Sequence, residues 1–209
     1  MQLGAVDVLM VFLVTIGPLK AAIVYTTLTA DADPGFRRSV AIKTVVTATV
    51  VAILFVVAGE FLLKVFHVSV PALKIAGGLI LLLYALSMVM GDESNQGDHA
   101  VTAQSTDIGI YPLAMPLMAT PQGIVAIVTI TATTTSINEV LLVAGLILGI
   151  MAFNFVFLLA AHRIISVIGP SALQIVARIV GLLLVALAVQ LMIWGLGDLG
   201  VLSPMPVGA

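Results

Sequence analysis

Long apolar stretches alternate with short polar segments along the whole chain. Each stretch is long enough to cross a bilayer as a helix, which takes about 20 residues. The sequence "AGGLILLLYALSMVM" at 76–90 does not alternate apolar and polar residues, which excludes the strands of a membrane β-barrel. The pattern therefore predicts an all-α membrane protein with six transmembrane helices. These helices are expected at residues 6–28, 40–63, 70–90, 110–134, 139–161 and 171–196.

The composition supports the same class. Hydrophobic residues make up 61% of the chain and charged residues 9%, whereas soluble domains contain about 25% charged residues. The mean hydropathy is +1.26. The absence of cysteine excludes disulfide and thiolate chemistry, and the lack of a basic stripe predicts no nucleic-acid partner. The first residues lack a basic region and a cleavage site, so we expect a retained first span and not a signal peptide.

The predicted spans fall into two groups of three. We expect a first three-helix repeat at 1–91, a hydrophilic loop at 92–109, a second repeat at 110–196 and a tail at 197–209. Basic residues lie beside loops that would share one side of the membrane, and such residues favour the cytoplasmic side. The N-terminus is therefore expected outside. The basic residues are Arg37, Arg38, Lys43 and Arg163.

Two pairs of segments are similar in the same order along the chain. "GPLKAAIVYTTLT" at 17–29 is similar to "TPQGIVAIVTITA" at 120–132, and "PALKIAGGLILLL" at 71–83 is similar to "SALQIVARIVGLL" at 171–183. Because each unit has three spans, the second copy would enter the membrane the other way up. The pattern predicts two inverted repeats, an architecture found in many secondary transporters.

Prolines interrupt the first and fourth predicted spans. Pro18 follows Gly17, and Pro121 follows Thr120, which is a good N-terminal cap for a new half-helix. Two broken helices would present unpaired backbone N–H groups near the bilayer centre, where the carboxylate of a small solute could bind. The alternative is that the prolines only kink these helices for packing.

Two polar residues lie deep in the predicted spans. A lysine at position 20 is costly at that depth, so Lys20 either contributes to a site or extends to the membrane surface. Asn154 either contributes to the site or joins helices by a hydrogen bond. Glu60 and Lys64 are expected to form an ion pair at the interface. The candidate substrate-binding residues are Gly17, Pro18, Lys20, Thr120, Pro121, Gln122, Gly123 and Asn154.

Three segments resemble the MarC family of six-span bacterial and archaeal membrane proteins. They are "GPLKAAIVYTTLT", "KIAGGLILLLYALSMV" and "YPLAMPLMATPQGI". The resemblance implies an inner (plasma) membrane protein of the LysE-type transporter superfamily with two inverted three-span repeats. Some relatives carry neutral amino acids. The sequence differs from many members at Gly17-Pro18-Leu19-Lys20, where they have Asp-Pro-x-Gly, and at Thr120-Pro121-Gln122, where they have Gly-Pro-Gly.

The sequence favours a secondary transporter or exporter of a small solute, such as an amino acid or a carboxylate, working by alternating access. The alternative is a membrane scaffold or accessory protein without flux. We expect no enzymatic activity and no cofactor, because the usual nucleotide-binding and hydrolase motifs are absent, and no metal site. The expected partners are the small-molecule substrate and the lipid bilayer, and a homo-oligomer is left open.

Overall fold

A computed structural model of the protein describes residues 5–90, 105–134 and 136–201. Within these ranges the chain forms seven α-helices and one irregular segment, and no strand. The irregular segment, Thr106–Met118, is called the proline segment below. The predicted all-α class is confirmed. The helices are α1 (Ala5–Thr15), α2 (Leu19–Leu28), α3 (Pro34–Val65), α4 (Val70–Met90), α5 (Pro121–Thr133), α6 (Ile137–Ile168) and α7 (Pro170–Asp198).

Each predicted span coincides with one helix or with two consecutive elements. The first span is divided into α1 and α2, and the fourth into the proline segment and α5. Four helices of the described ranges are long and apolar enough to cross a membrane, or five spans if the bent pair of proline segment and α5 is counted. Most of the predicted loop at 92–109 and of the tail at 197–209 lies outside the described residues.

The two longest helices, α3 and α6, begin in the same manner and are both 32 residues long. The side chain of Asp33 accepts a hydrogen bond from the Phe36 N–H at 3.1 Å, and Pro34 takes the first helical position. Ser136 accepts from the Asn138 N–H at 3.3 Å at the start of α6. Side-chain caps of this kind satisfy backbone donors that a helix start leaves unpaired.

The outer surfaces of the long helices are apolar. Val57 on α3 is 77% exposed and Leu183 on α7 is 65% exposed. Their inner faces carry small residues, such as Ala48 and Ala52 on α3, which are buried. Large apolar side chains outside and small ones between helices are typical of a membrane bundle, where close backbone packing holds the helices together.

The helices α4 and α7 form a tight antiparallel pair. A Cβ added at Gly78 would lie 2.7 Å from the Ala188 carbonyl oxygen, and one at Gly195 would lie 2.9 Å from the Pro71 carbonyl oxygen. Only glycine allows backbones to approach this closely. The main apolar core lies elsewhere, between α1, α2, α3, the proline segment, α5 and α6.

The proline segment is a short 3-10 turn, Thr106–Gly109, followed by an irregular helical stretch, Ile110–Met118. Tyr111 and Met115 have extended backbone angles inside this stretch, and each precedes a proline in a cis peptide bond. The segment makes an angle of 59° with α5. Its start is joined to α3 by an ion pair of 2.6 Å between Lys43 and Asp107.

Candidate functional site

The first predicted span is broken at the expected place. The helix α1 ends at Thr15, and α2 begins four residues later. A Cβ at Gly17 would collide with the carbonyl oxygen of Leu13. The backbone can pass this close to the last turn of α1 because residue 17 has no side chain. Pro18, which is buried, has no N–H to continue the hydrogen-bond pattern. We call Ile16–Pro18 the first break.

The fourth predicted span is broken in front of Pro121. The proline segment ends at Met118, and α5 begins at Pro121. The Thr120 hydroxyl oxygen accepts a hydrogen bond from the Gly123 N–H at 3.0 Å, so the predicted N-terminal cap is confirmed. Proline suits the first helical position, because its backbone angle is already helical and its missing N–H costs nothing there. We call residues 119–120 the second break.

The two breaks lie against each other inside the bundle. The Thr120 hydroxyl donates to the Thr15 carbonyl oxygen at 2.7 Å. The Asn154 Nδ2 of α6 donates to the Ile16 carbonyl oxygen at 2.7 Å. A Cβ at Gly123 would lie 2.8 Å from Ile16 Cγ1, so the start of α5 packs directly on the first break. Two carbonyls freed where α1 ends are therefore satisfied by residues of the second half of the chain.

Two buried carboxamide oxygens without a hydrogen-bond partner belong to residues next to this contact. The Asn154 Oδ1 and the Gln122 Oε1 have no hydrogen-bond partner, although Asn154 is fully buried and Gln122 is 4% exposed. The hydroxyl of Thr44, on α3, is also buried without one, but Thr44 lies beside Gly109 of the proline segment. An unsatisfied buried acceptor costs about 1–3 kcal/mol, so a packing role alone does not account for these atoms.

The backbone N–H groups at the start of α5 are mostly occupied. Pro121 has none, the Gly123 N–H bonds to Thr120 Oγ1, and the Ile124 N–H bonds to the Thr120 carbonyl oxygen at 2.9 Å. Among the first four residues of α5, the N–H of Gln122 is therefore the one that takes part in neither of these hydrogen bonds. The expectation of several unpaired amides is therefore wrong at this helix, because the threonine that favours the break also caps the new helix.

The structure brings together seven of the eight candidate site residues around the two breaks. Lys20 is the second residue of α2, and its side chain lies outside the described residues. The helix-joining hydrogen bond expected for Asn154 is present, and the Asn154 Oδ1 has no hydrogen-bond partner. The seven residues are Gly17, Pro18, Thr120, Pro121, Gln122, Gly123 and Asn154.

A second polar cluster, which the sequence did not predict, joins α2 to α6. Thr29 Oγ1 lies 2.9 Å from His162 Nε2 and donates to the Tyr25 carbonyl oxygen at 2.6 Å. The rings of Tyr25 and His162 meet edge to face at 5.7 Å. Arg37 Nε and Nη2 donate to the carbonyl oxygens of Thr29 and Ala30, where a cation suits the end of a helix. We call this end of the bundle the Arg37 end.

The opposite end of the bundle contains a close apolar contact between α3 and α5. A Cβ at Gly59 of α3 would lie 2.7 Å from Val128 Cγ2 of α5. At the same end, Lys74 and Asp198 form an ion pair of 2.7 Å between α4 and α7. We call it the Gly59 end. The two ends of the bundle therefore differ, with polar contacts at the Arg37 end and an apolar contact and an ion pair at the Gly59 end.

The family model described as "MarC family integral membrane protein" matches residues 4–199 of this chain. A UPF0056 membrane protein of Methanocaldococcus jannaschii is 35% identical over 184 residues, which cover 87% of this chain and 90% of the relative. The UPF0056 membrane protein YvbG of Bacillus subtilis is 26% identical, with 86% of this chain and 87% of the relative covered. No solved structure matches the chain. The chain, an integral membrane protein, therefore belongs to the MarC family.

Proposed function

We propose that this protein is a secondary transporter or exporter that carries a small solute across the inner membrane by alternating access. The observation that carries the proposal is the meeting of two interrupted helices at a buried place with unpartnered polar atoms. Irregular backbone at membrane depth is tolerated where it is buried in protein or lines a water-filled cavity, and transporters use it for substrate sites.

The lengths of the elements support an inverted repeat. Pro18 and Pro121 are 103 positions apart, and so are Pro34 and Ile137, the first residues of α3 and α6. The two halves then each contain one broken span, one helix of 32 residues and one further helix. We propose that these are six spans in two inverted groups of three.

Matching contacts at the two ends support the same relation. The contact of Tyr25 with His162 joins α2 to α6, and the contact of Val128 with Gly59 joins α5 to α3. Residues 25 and 128 are 103 positions apart, as are residues 59 and 162. A two-fold axis that exchanges the halves would convert one contact into the other. Rocking of one half against the other could then open either end in turn.

The positions of the basic residues support an orientation with the N-terminus outside. Arg37, Arg38 and Arg163 all lie near the Arg37 end, where the end of α2 meets the end of α6. Basic residues favour the cytoplasmic side, so this end would face the cytoplasm. The Gly59 end, next to the first residues of α4, would face outward.

The experiment is counterflow in proteoliposomes that contain the purified full-length chain. The panel contains glycine, alanine, serine, lactate and succinate, each offered as labelled solute against unlabelled solute. We expect saturable exchange of at least one of them. A folded protein that exchanges none of the five would contradict the proposal and favour the scaffold or accessory role.

Lys20 gives a sharper test of the same proposal. A lysine at this depth costs about 2.5–3.5 kcal/mol on membrane-insertion scales, which favours a functional reason for its presence. The variant Lys20→Met should therefore fold normally and lose solute flux. Thermal unfolding and counterflow of the same preparation check both parts. Flux equal to that of the unmodified protein would show that Lys20 is not part of the transport site.

A further inference from the structure

The unpartnered buried side-chain atoms of Asn154 and Gln122 are carboxamide oxygens, which accept hydrogen bonds. Asn154 donates through Nδ2 to the Ile16 carbonyl oxygen, and this bond fixes which end of its amide is left open. The open end is the carbonyl oxygen Oδ1, which is buried and has no partner. A residue that only joined helices would need one bond, and it would not need to bury the second polar atom unpaired.

A second carboxamide oxygen lies at the start of α5. Gln122 is 4% exposed, and its Oε1 has no partner. The next residue, Gly123, packs on Ile16, the residue whose carbonyl oxygen Asn154 holds. The start of α5, which carries Gln122, and the side chain of Asn154 therefore both lie against Ile16 of the first break.

Of the helix ends at this place, the C-terminal end of α1 favours positive charge, whereas the uncapped start of α2 favours negative charge. The C-terminal end of α1, at Thr15, carries the negative end of its helix dipole. The N–H groups at the start of α5 that would attract an anion are occupied by Thr120, except that of Gln122. Neutral oxygens and a helix C-terminal end are the groups with which transporters hold monovalent cations.

We propose that the two breaks enclose a binding site for a monovalent cation, in which Asn154 Oδ1 and Gln122 Oε1 contact the positive charge. The proposal rests on the transport function proposed above. The cation is either a free alkali ion or the ammonium group of the solute, because both need the same oxygen ligands. The described residues include no group of three or more His, Cys, Asp or Glu side chains that could hold a metal, which argues against a divalent ion.

The test is thermal unfolding of the purified full-length chain at constant ionic strength in choline chloride. Sodium chloride, potassium chloride, methylammonium chloride, alanine and choline propionate are added in turn. A ligand that binds the folded state raises the melting temperature by mass action. Stabilisation by sodium or potassium alone identifies a free ion, and stabilisation by methylammonium and alanine identifies the ammonium group. Either outcome supports the cation site.

The variant Gln122→Met removes Oε1 with little change in volume. The variant Asn154→Leu removes both polar atoms of the Asn154 amide, Oδ1 and Nδ2. Loss of one hydrogen bond to a charged group should weaken the apparent affinity about tenfold to hundredfold. The matched control is Gln190→Met on α7, which should bind like the unmodified protein.

Stabilisation by propionate equal to that by alanine, unaffected by Gln122→Met, would overturn the inference in favour of an anion site. Absence of any cation effect would overturn it in favour of a buried water at the open oxygens. Counterflow separates these outcomes from failure of the transport proposal. Flux that is insensitive to Gln122→Met refutes the cation site alone, whereas cation binding without flux of any solute refutes transport alone.

Discussion

The two breaks lie at equivalent positions of the two halves, but they are stabilised in different ways. The second break has a threonine at position 120, whose hydroxyl caps α5 and also bonds the first break. The first break has glycine at the equivalent position 17, which offers no hydroxyl, and Pro18 gives α2 no side-chain cap. Its freed carbonyl oxygens at Thr15 and Ile16 are bonded by Thr120 and Asn154.

This difference teaches that the first break depends on the second half of the chain. The second half stabilises its own break through Thr120, and it also supplies both side-chain donors to the first. Movement of one half relative to the other would therefore strain the hydrogen bonds of the first break before those of the second. The difference can be tested by substitutions at each break.

The largest effect is expected for Gly17→Ala. A methyl group at this position would collide with the Leu13 carbonyl oxygen, and the turn would have to open. Overpacking of this kind costs about 3 kcal/mol. Thermal unfolding of the purified variant measures the loss. The control is Gly145→Ala on α6, where a Cβ meets nothing within 4 Å. It should be as stable as the unmodified protein or up to about 1 kcal/mol more stable, because alanine favours a helix more than glycine does. Equal stability of both variants would contradict a tight first break.

The next effect is expected for Thr120→Val. The substitution keeps the shape of the side chain and removes both the cap to the Gly123 N–H and the bond to the Thr15 carbonyl oxygen. Loss of a cap costs about 1 kcal/mol and loss of a buried hydrogen bond costs about the same. The expected loss of unfolding free energy is about 2 kcal/mol. Thr120→Ser, which keeps the hydroxyl, should restore most of it in the same denaturation measurement.

A smaller effect is expected at the Arg37 end, for Thr29→Val. This change leaves His162 Nε2 without its partner and costs about 1 kcal/mol. The control is Thr27→Val on the same helix, because Thr27 is exposed and bonds only its own helix at Ile23. Chemical denaturation should give a lower free energy of unfolding for Thr29→Val than for Thr27→Val. The reverse order would mean that the contact of Thr29 with His162 does not stabilise the bundle.

The smallest effect is expected for Glu60→Gln. The predicted ion pair of Glu60 with Lys64 is confirmed at 2.6 Å, and both side chains are more than half exposed. Exposed ion pairs contribute about 0–1 kcal/mol and are screened by salt. The free energy of unfolding of this variant should equal that of the unmodified protein at about 0.5 M salt, a concentration that screens exposed ion pairs. A clear loss there would mean that the pair is less accessible to solvent than its geometry indicates.

Much of the fold was predictable because membrane helices are specified locally. Each expected span coincides with a helix or a broken pair, since length and hydropathy act within one segment. The positions of both breaks followed from Pro18 and Pro121, and the cap followed from Thr120. These are effects of neighbouring residues on one backbone.

The pairings between distant residues were not predictable in this way. Thr120 and Thr15 are far apart in sequence, and nothing at either position indicates which carbonyl oxygen the hydroxyl will bond. The same holds for Lys43 with Asp107. The repeat spacing makes His162 equivalent to Gly59, but it places His162 opposite Tyr25 only once the contact of Gly59 with Val128 is known from the structure.

The central claim is that the two breaks lie against each other, and cysteine cross-linking tests it most directly. The chain has no cysteine of its own, so Ile16→Cys with Gly123→Cys gives a single thiol pair. A Cβ at Gly123 would lie 2.8 Å from Ile16 Cγ1, which is one bond of about 1.5 Å from Ile16 Cβ. The two Cβ atoms would therefore lie at most about 4.3 Å apart, within the separation of about 3.5–4.5 Å found in disulfides. We expect rapid oxidation of this pair in membranes and none for Ile16→Cys with Gly145→Cys. A folded double variant whose thiols at 16 and 123 stay reduced would contradict the account.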